Sequence, residues 1–385
     1  MRTVYPHYYH DFACTADKCP DTCCAGWQIM IDDESMERYE QYVGHFSDRL
    51  QSGIDWNAGC FMQDANKRCS MLNEQNLCDM ILKMGEHHLC KTCTRYPRHE
   101  EEFEGLREWS LSLSCPVAAH IVLSCEEPLR FIEEENDDDD PLIDEFEDFD
   151  FLLFTELEDA REVIYKIVQD QKITFEKRLQ ILMILGRALQ NCVEENRICD
   201  MQEIVRNYAK DPEAEMEENA TGEGLFAQDP DLLDKTDRYE FLQELFSVFS
   251  KLERMRDDWQ EVVDEEKNLL AKGSAHYSDL RSRFEAAMER EPWWPVFLRN
   301  YLMSFVYTYF CGAVYDDWID TKVMLGVFSV LFTEEFIMNL WQKNGSVTPE
   351  ECERIVYRYV REVEHSDLNL NTLEEFLHTL LYSPV

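Results

Sequence analysis

The chain has 385 residues, 45% of them hydrophobic and 12% aromatic, so it is long enough for two or three domains with a real core. Its 79 acidic and 37 basic side chains give a net charge of −42, which excludes a general nucleic-acid binder and disfavours an anionic membrane surface. The acidity indicates either a solvated surface or a basic protein segment as a partner.

The N-terminal segment is not typical of an exported protein. The sequence begins MRTVYPHYYHDF, which lacks the apolar stretch of a signal peptide. Fifteen cysteines is an odd number, and a chain without an export signal seldom builds a disulfide framework. We therefore expect a cytoplasmic protein with reduced thiols.

Cysteines dominate the first third of the chain, where eleven of the fifteen lie within residues 1–125. One group occupies residues 14–24 and a second lies within 69–93. Thiolates are soft ligands that suit zinc or iron–sulfur clusters. We predict a metal or cluster held by some of Cys14, Cys19, Cys23, Cys24, Cys69, Cys78 and Cys93.

Two further expectations concern individual cysteines. Cys23 and Cys24 are adjacent and should point in different directions, so at most one should ligate a given ion, although the other could ligate a neighbouring iron of a cluster. The remaining cysteines are expected to pack as small hydrophobic residues: Cys60, Cys125, Cys192, Cys199, Cys311 and Cys352.

The elements of the cysteine-rich segment, residues 1–130, should be short, irregular and held in place by the metal. One helix is predicted over residues 33–50, because Asp32 and Asp33 can cap it and apolar side chains recur at helical spacing. A second is predicted from about Pro116 to Leu123.

An acidic linker is predicted over residues 131–149. The stretch from Glu133 to Asp140 holds seven carboxylates in eight positions, which should repel one another into an exposed segment. Calcium chelation is the alternative, but the run lacks the glycine and the spacing of an EF-hand loop.

From residue 150 to 385 the hydrophobic period is helical almost throughout. Apart from a polar loop near 211–236, helices fit residues 238–272, 278–290, 294–314, 321–342, 349–365 and 373–381. The apolar stretch from Val323 to Phe332 is too short to span a bilayer, so we predict a buried helix and no membrane insertion. The predicted fold class is mainly α, with a small cysteine-rich metal-binding module packed on an α-helical bundle.

Four segments carry a family resemblance. They are Phe12 to Trp27 with its DTCC-x-GW core, Cys69 to Cys78, Thr92 to Arg98 (TCTRYPR), and Leu111 to Pro116 (LSLSCP). Together they resemble the bacterial flagellin lysine-N-methylase family over roughly residues 5–130. A weaker similarity extends through LRNYLMSFVYTYF and REVEHSDLNL. The cysteine pattern is also similar to that of a broader group of zinc- or iron-chelating proteins with a CxxCxxCC-like signature.

The resemblance implies methylation of surface lysines on flagellin with S-adenosylmethionine as donor, by an enzyme that carries a four-iron four-sulfur cluster; zinc is the alternative metal. Carried over by motif, the ligand candidates are Cys14, Cys19, Cys23, Cys24, Cys69, Cys78, Cys93 and Cys115. Cys90 lies beside the pattern and is expected to be a free thiol.

The residues themselves constrain where the methyl donor can bind. No glycine-rich GxGxG turn follows a strand, so the common dinucleotide-type fold is not expected. The CxxxCxxC pattern of radical enzymes is also broken, because Gly26 stands where its third cysteine would be. The donor is therefore expected on the cluster or at the junction of the module with the bundle.

Methylation of a lysine requires its neutral amine, held in line with the methyl group. Tyr96 is the candidate to take the proton, its alternative being a packed loop aromatic. Arg95 and Arg98 are candidates to contact the donor carboxylate or the cluster, and otherwise pair with nearby acids. His365 is interpreted as a helix-terminal or core histidine.

Two non-enzymatic functions stay open at this point. The cysteines could hold zinc or iron that only stabilises the fold or senses metal, or they could form a redox-sensing or electron-transfer iron–sulfur site.

Overall fold

The computed structural model describes residues 1–135, 149–219, 235–256 and 258–382. Most of the predicted acidic linker and the centre of the predicted polar loop lie outside these residues. The α-helices of the described residues are α1 Asp33–Glu40, α2 Ser47–Gly53, α3 Asp79–Met84, α4 Lys91–Arg95, α5 Pro116–Leu123, α6 Phe151–Gln169, α7 Phe175–Glu194, α8 Met201–Tyr208, α9 Pro212–Asn219, α10 Lys235–Phe249, α11 Trp259–Leu270, α12 Ser274–Met288, α13 Trp294–Tyr309, α14 Ile319–Asn344, α15 Pro349–Glu364 and α16 Asp367–Tyr382. The mainly α prediction is confirmed.

Six strands form two sheets in the described residues. They are β1 Arg2–Pro6, β2 Ile54–Asp55, β3 Cys60–Phe61, β4 Arg98–Phe103, β5 Leu106–Leu111 and β6 Phe131–Glu135. The larger sheet has the order β4-β5-β1-β6, with β1 parallel to β5 and the other neighbours antiparallel. Strands β2 and β3 pair separately.

The four-stranded sheet was not predicted, because its sequence is unusually acidic for a strand. Ion pairs explain how these segments can pair. Arg107 of β5 lies 3.1 Å from Glu100 and 2.8 Å from Glu102 on β4. Arg2 of β1 lies 3.7 Å from Glu133, so residues 131–135, assigned above to the linker, form β6 instead.

The bundle is built around α14, which is buried along nearly its whole length. By length and composition it is the one helix of the described residues that could cross a membrane, but 94% of its most apolar window is buried inside the protein. It packs against α7, α13 and α16. The stretch from Val323 to Phe332 therefore belongs to a buried core helix, as predicted.

Two hydrophobic cores divide the chain. The larger contains the bundle together with β5, α5 and Tyr5 of β1. The smaller lies within residues 29–90, inside the cysteine-rich segment. A buried bidentate ion pair ties the sheet to the bundle, since Arg161 of α6 donates to Glu108 of β5 at 2.7 and 2.5 Å. The sheet and α5 therefore belong with the bundle core.

Three predicted elements differ from the structure. The helix over 33–50 is two helices, α1 and α2, because the chain turns at Gly44, whose carbonyl accepts from Ser47 N. The polar loop begins with a helix, since α9 covers 212–219. The helix over 238–272 is interrupted between α10 and α11, where the backbone amides of Met255 and Arg256 donate to the Glu362 carboxylate.

Candidate functional site

Two cysteine segments are hydrogen bonded to each other. Cys69 N donates to Cys24 O at 2.8 Å, and Gly26 N donates to Lys67 O at 3.0 Å. The short antiparallel contact thus formed pairs Ala25 with Arg68. It brings the DTCC loop onto the segment that carries Cys69 and Cys78, although about fifty residues separate them in sequence.

The thiols of nine cysteines lie in one band, within electrostatic reach of their neighbours. Cys23 interacts with Cys14 and Cys115, and Cys19 also interacts with Cys14. On the other side of the band, Cys24 interacts with Cys69, Cys78 and Cys93. The band includes every cysteine that the sequence nominates as a ligand.

Cys90 is the ninth member of this band. Its side chain is fully buried in the smaller core, and its thiol hydrogen bonds with that of Cys93. The family motifs do not include it. The signal that could have found it is the CxxC spacing from Cys90 to Cys93.

Two thiol pairs each contain one thiol with a lowered pKa. Cys23 and Cys24, expected to point apart, hydrogen bond through their thiols, which lowers the pKa of Cys24 and raises that of Cys23. In the same way Cys93 lowers the pKa of Cys90. The thiolate is the form that binds metals. In each pair, therefore, one thiol ionises more readily, and the other must lose its proton before it can bind a metal.

The donor set fits a thiolate-bound group in kind and in number. All thiols are free, and nine of them share one region. Within the described part of the chain, no three His, Cys, Asp or Glu side chains converge closely enough to hold an ion. Ligation would therefore require the thiols to close further around the metal.

The cysteines expected to be packing residues behave differently from one another. Cys60, Cys192, Cys311 and Cys352 are buried, as expected. Cys199 is exposed, so its assignment as a packed hydrophobic residue is wrong.

Asp21 fixes the DTCC loop against the bundle. Its Oδ1 lies 3.0 Å from Arg361 Nη1 and 2.6 Å from Arg256 Nη1. Arg361, which is only 2% exposed, also donates to Asp21 O and to Ser114 O. One guanidinium of α15 thus connects the cysteine loop to the LSLSCP segment.

A cavity of about 370 Å³ lies where the module meets the bundle. Its walls come from Trp27, the 96–101 segment, the 110–114 segment, residues 304–312 of α13 and the following turn, and residues 364–374. The resemblance motifs TRYPR, LSLSCP and REVEHSDLNL therefore meet at one place. The size is at the lower end of the roughly 300–1,000 Å³ of small-molecule sites.

Three aromatic rings form one side of this cavity. The Trp27 and His365 ring centroids are 4.4 Å apart, and Tyr96 lies 5.9 Å from Trp27 and 5.8 Å from His365. Trp27 is oriented by its Nε1, which donates to Cys23 O at 2.8 Å. Burial, with Arg361 nearby, lowers the pKa of His365 to about 3, so its imidazole is neutral.

A chain of hydroxyl groups leads from Tyr96 to the half-buried carboxylate of Glu364. Tyr96 OH lies 3.1 Å from Ser114 Oγ, which lies 2.6 Å from Ser112 Oγ. Ser112 Oγ donates to Glu364 Oε2 at 2.6 Å, and Tyr309 OH donates to Glu364 Oε1 at 2.8 Å. Burial raises the pKa of Glu364 and, strongly, that of Tyr96.

The two arginine candidates take different positions. Arg98 lines the cavity, with its guanidinium over the rings of Tyr9 and Phe12. Arg95 lies outside the cavity wall, pairs with Glu100 and packs over the Trp109 ring at 5.7 Å.

Sequence reasoning missed Ser112, Ser114 and Glu364, assigned Trp27 no chemical role, and interpreted His365 as structural. Membership of these residues in the resemblance motifs was the available signal. The sequence does not show that segments near positions 27, 96, 112 and 364 line the same cavity.

Comparisons with known proteins identify related sequences. A model of the FliB lysine N-methylase C-terminal domain matches residues 161–383. The lysine-N-methylases of Salmonella choleraesuis (strain SC-B67) and Salmonella typhimurium (strain LT2) are each 26% identical over 128 residues, which is 31% of this chain and 32% of theirs. A flagellar biosynthetic protein FliU from Salmonella muenchen is 26% identical over 128 residues, 31% of this chain and 75% of its own length.

The alignment thus spans about a third of the length of the two lysine-N-methylases. No solved structure matches the chain. The family model, in contrast, covers the bundle from α6 to α16, which is more than half of the 385 residues. The chain therefore belongs to the FliB lysine N-methylase family.

Proposed function

We propose that this protein is a cytoplasmic protein-lysine N-methyltransferase that methylates surface lysines of flagellin with S-adenosylmethionine, and that the reaction depends on an iron–sulfur cluster. The observation that carries the proposal is the cavity at the junction of the thiol band and the bundle. Lysine-N-methylase is the printed name of two relatives, and FliU is named as a flagellar biosynthetic protein.

The residues of the cavity suit a small cationic substrate. Trp27 and Tyr96 offer the aromatic faces that attract cations, and the neutral His365 adds no opposing charge. Both an ammonium group and a sulfonium methyl donor carry the positive charge that such a wall favours.

The donor is proposed to bind in the same cavity. Arg98 lies in its wall, and we assign its guanidinium, which packs over the Tyr9 and Phe12 rings, to a carboxylate of the donor. Arg95, which pairs with Glu100 outside the cavity wall, is assigned no such role.

The proposed cluster ligands come from the thiol band: Cys14, Cys19, Cys23, Cys24, Cys69, Cys78, Cys93 and Cys115, with Cys90 added from the structure. When bound, an iron–sulfur cluster would supply an iron able to bind the amino and carboxylate groups of the donor. Trp27 connects the thiols to the cavity, because its indole donates to Cys23 O while its ring faces His365.

The decisive experiment uses the full chain purified without oxygen. Incubation with S-adenosylmethionine and flagellin from the same organism should add the mass of one or more methyl groups to lysine peptides. Iron and sulfide analysis distinguishes a cluster from zinc. Methylation absent from the iron-loaded protein would contradict the proposal.

A matched pair of variants tests whether the metal takes part. Cys23→Ser should lose both metal and methylation, because it removes a thiol from the centre of the band. The exposed Cys199→Ser should retain both. Methylation by a metal-free Cys23→Ser variant would show that the metal is not needed for the reaction.

One observation favours a second candidate function. The hydrogen-bonded thiol pairs Cys23–Cys24 and Cys90–Cys93 would also suit a non-enzymatic zinc or iron protein, or a redox-sensing iron–sulfur protein. In that case the variants above would alter metal content while flagellin remains unmodified throughout.

A further inference from the structure

The cavity contains a carboxylate without a cationic partner. Glu364 accepts hydrogen bonds from Ser112 and Tyr309, both neutral hydroxyl groups. Among the described residues, no Lys, Arg or His nitrogen lies within ion-pair distance of it. A buried carboxylate held only by neutral donors is costly when ionised, so a proton or a cationic ligand would stabilise it.

Several other charges around the cavity are paired with each other. His99 forms its ion pair with Glu101 at 2.7 Å, both on β4, and in addition interacts electrostatically with Glu364. Lys322 of α14 lies 2.7 Å from Glu374 of α16. Helix α16 also contributes Asp367 to the cavity wall. Glu364, at the end of α15, is a half-buried carboxylate of this cavity that forms no ion pair within the described residues, so it can take a proton from a ligand.

The hydrogen bonds that reach Glu364 have one consistent direction. Ser112 Oγ donates to the carboxylate, so its own lone pairs accept from Ser114, from both Oγ and the backbone N at 3.2 Å. Ser114 Oγ can then accept from Tyr96 OH. Each hydroxyl thus has its proton turned toward Glu364.

The far end of this chain lies against the aromatic wall. Tyr96 is a member of the ring trio with Trp27 and His365. The Nε2 atom of His365 is buried and has no hydrogen-bond partner. An alkylammonium placed in the cavity against these rings would find both cation–π contacts and the first hydroxyl of the chain.

We infer that Tyr96, Ser114, Ser112 and Glu364 form a proton relay that deprotonates the lysine ammonium of the substrate. The inference rests on the proposed function and names the acceptor of its proton. The relay extends over 3.1, 2.6 and 2.6 Å from the phenol to the carboxylate.

The proton and electron balance is complete. The ammonium gives a proton to the Tyr96 oxygen as Tyr96 passes its own to Ser114, Ser114 to Ser112, and Ser112 to Glu364. The three hydroxyls end neutral and the carboxylate becomes a carboxylic acid. The amine nitrogen then forms a bond to the methyl carbon of the sulfonium donor, whose carbon–sulfur bond breaks with its electron pair remaining on sulfur.

Steady-state kinetics on the full metal-loaded chain test the relay. Ser112→Ala and Glu364→Gln should each lower kcat at pH 7.5 by about 100-fold, the lower end of general-base contributions. The double variant should be no worse than either single one, because both interrupt one relay. Both deficits should shrink toward pH 10, where solution deprotonates the amine.

Two buried groups outside the relay serve as controls. Glu353→Gln changes a buried carboxylate of the same helix, and Ser329→Ala removes a buried hydroxyl from α14. Both should leave kcat unchanged. A Ser112→Ala variant within threefold of the wild type, or deficits that multiply in the double variant, would overturn the relay.

A second measurement separates the relay from the methylase function. Addition of Nα-acetyl-lysine methylamide, without any methyl donor, should produce the infrared band of a protonated carboxyl group in the wild type. The band should be absent from Glu364→Gln and Ser112→Ala. With the band present but flagellin unmethylated, the relay stands and the proposed function fails; methylation without the band refutes the relay alone.

Discussion

Asp21 illustrates how a single residue joins the two parts of the molecule. Its carboxylate, with a side chain 13% exposed, lies between two guanidinium groups, those of Arg361 and Arg256. Cations that share one anion are held together only while that anion is present. The position of the neighbouring thiols relative to the cavity therefore depends on Asp21.

Replacing this carboxylate should destabilise the protein. Asp21→Asn leaves the buried Arg361 without its counter-charge, so the free energy of unfolding should fall by about 3 kcal/mol. Denaturant titration of the metal-free chain measures the change. The exposed Asp17→Asn in the same segment should shift it by about 0.5 kcal/mol or less. Equal effects of the two substitutions would contradict this role of the Asp21 carboxylate.

The last turn of α15 is the element that does most to organise the site. Arg361 reaches the cysteine loop, Glu362 accepts from the amides of Met255 and Arg256, and Glu364 faces the cavity. Successive helical side chains point about 100° apart, so one turn can reach three surroundings. The N-terminus of α15 is stabilised by a capping box between Thr348 and Glu351.

The cysteine loop and the α10–α11 connection approach closely at Gly26. Gly26 has φ +99°, and a Cβ there would lie 3.3 Å from the Met255 carbonyl oxygen. Gly26→Ala should therefore lower the free energy of unfolding by about 2 kcal/mol, as expected for strained backbone. Gly105→Ala, at φ +75° with open space around it, should cost about 1 kcal/mol. Thermal or denaturant unfolding compares them, and a Gly105 variant that is the less stable one would contradict this account.

Elements were predicted well where their signals are local. The Asp32 cap and the Pro116 start are both present, since each depends on neighbouring residues. The break between α10 and α11 was missed because it is stabilised by Glu362, more than 100 residues away. The acidic strand β4 was missed for a different reason: its counter-charge, Arg107, is only a few residues away on β5, but a run of glutamates does not resemble a strand in sequence.

At the scale of the whole molecule, the net charge of −42 and the buried carboxylates both destabilise the folded protein while the carboxyl groups are ionised. Burial raises the pKa of Glu362 to about 7, from 4.5 in the unfolded chain. A carboxyl with a higher pKa when folded binds its proton more tightly in the native state, so stability rises as the pH falls through 7. The exposed carboxylates stay ionised over the same range, so their mutual repulsion changes little.

The free energy of unfolding should accordingly increase by about 1 kcal/mol from Glu362 alone between pH 8 and 6.5. The interval ends at 6.5 because the lowered pKa of His365 removes stability below that value. Urea titrations in about 0.5 M NaCl, which screens the surface charges, isolate the buried contribution. Stability that is constant or falls across this interval would be inconsistent with a protonated Glu362.

The helical bundle and the cysteine-rich first third of the chain could be predicted from the sequence alone. Both depend on hydrophobic period and local composition, which are properties of neighbouring residues. The contacts between distant segments appear only in the folded chain, where Tyr96 reaches Glu364 through Ser114 and Ser112. These contacts join positions up to 252 residues apart. They follow from how the complete chain packs, and no local pattern encodes them.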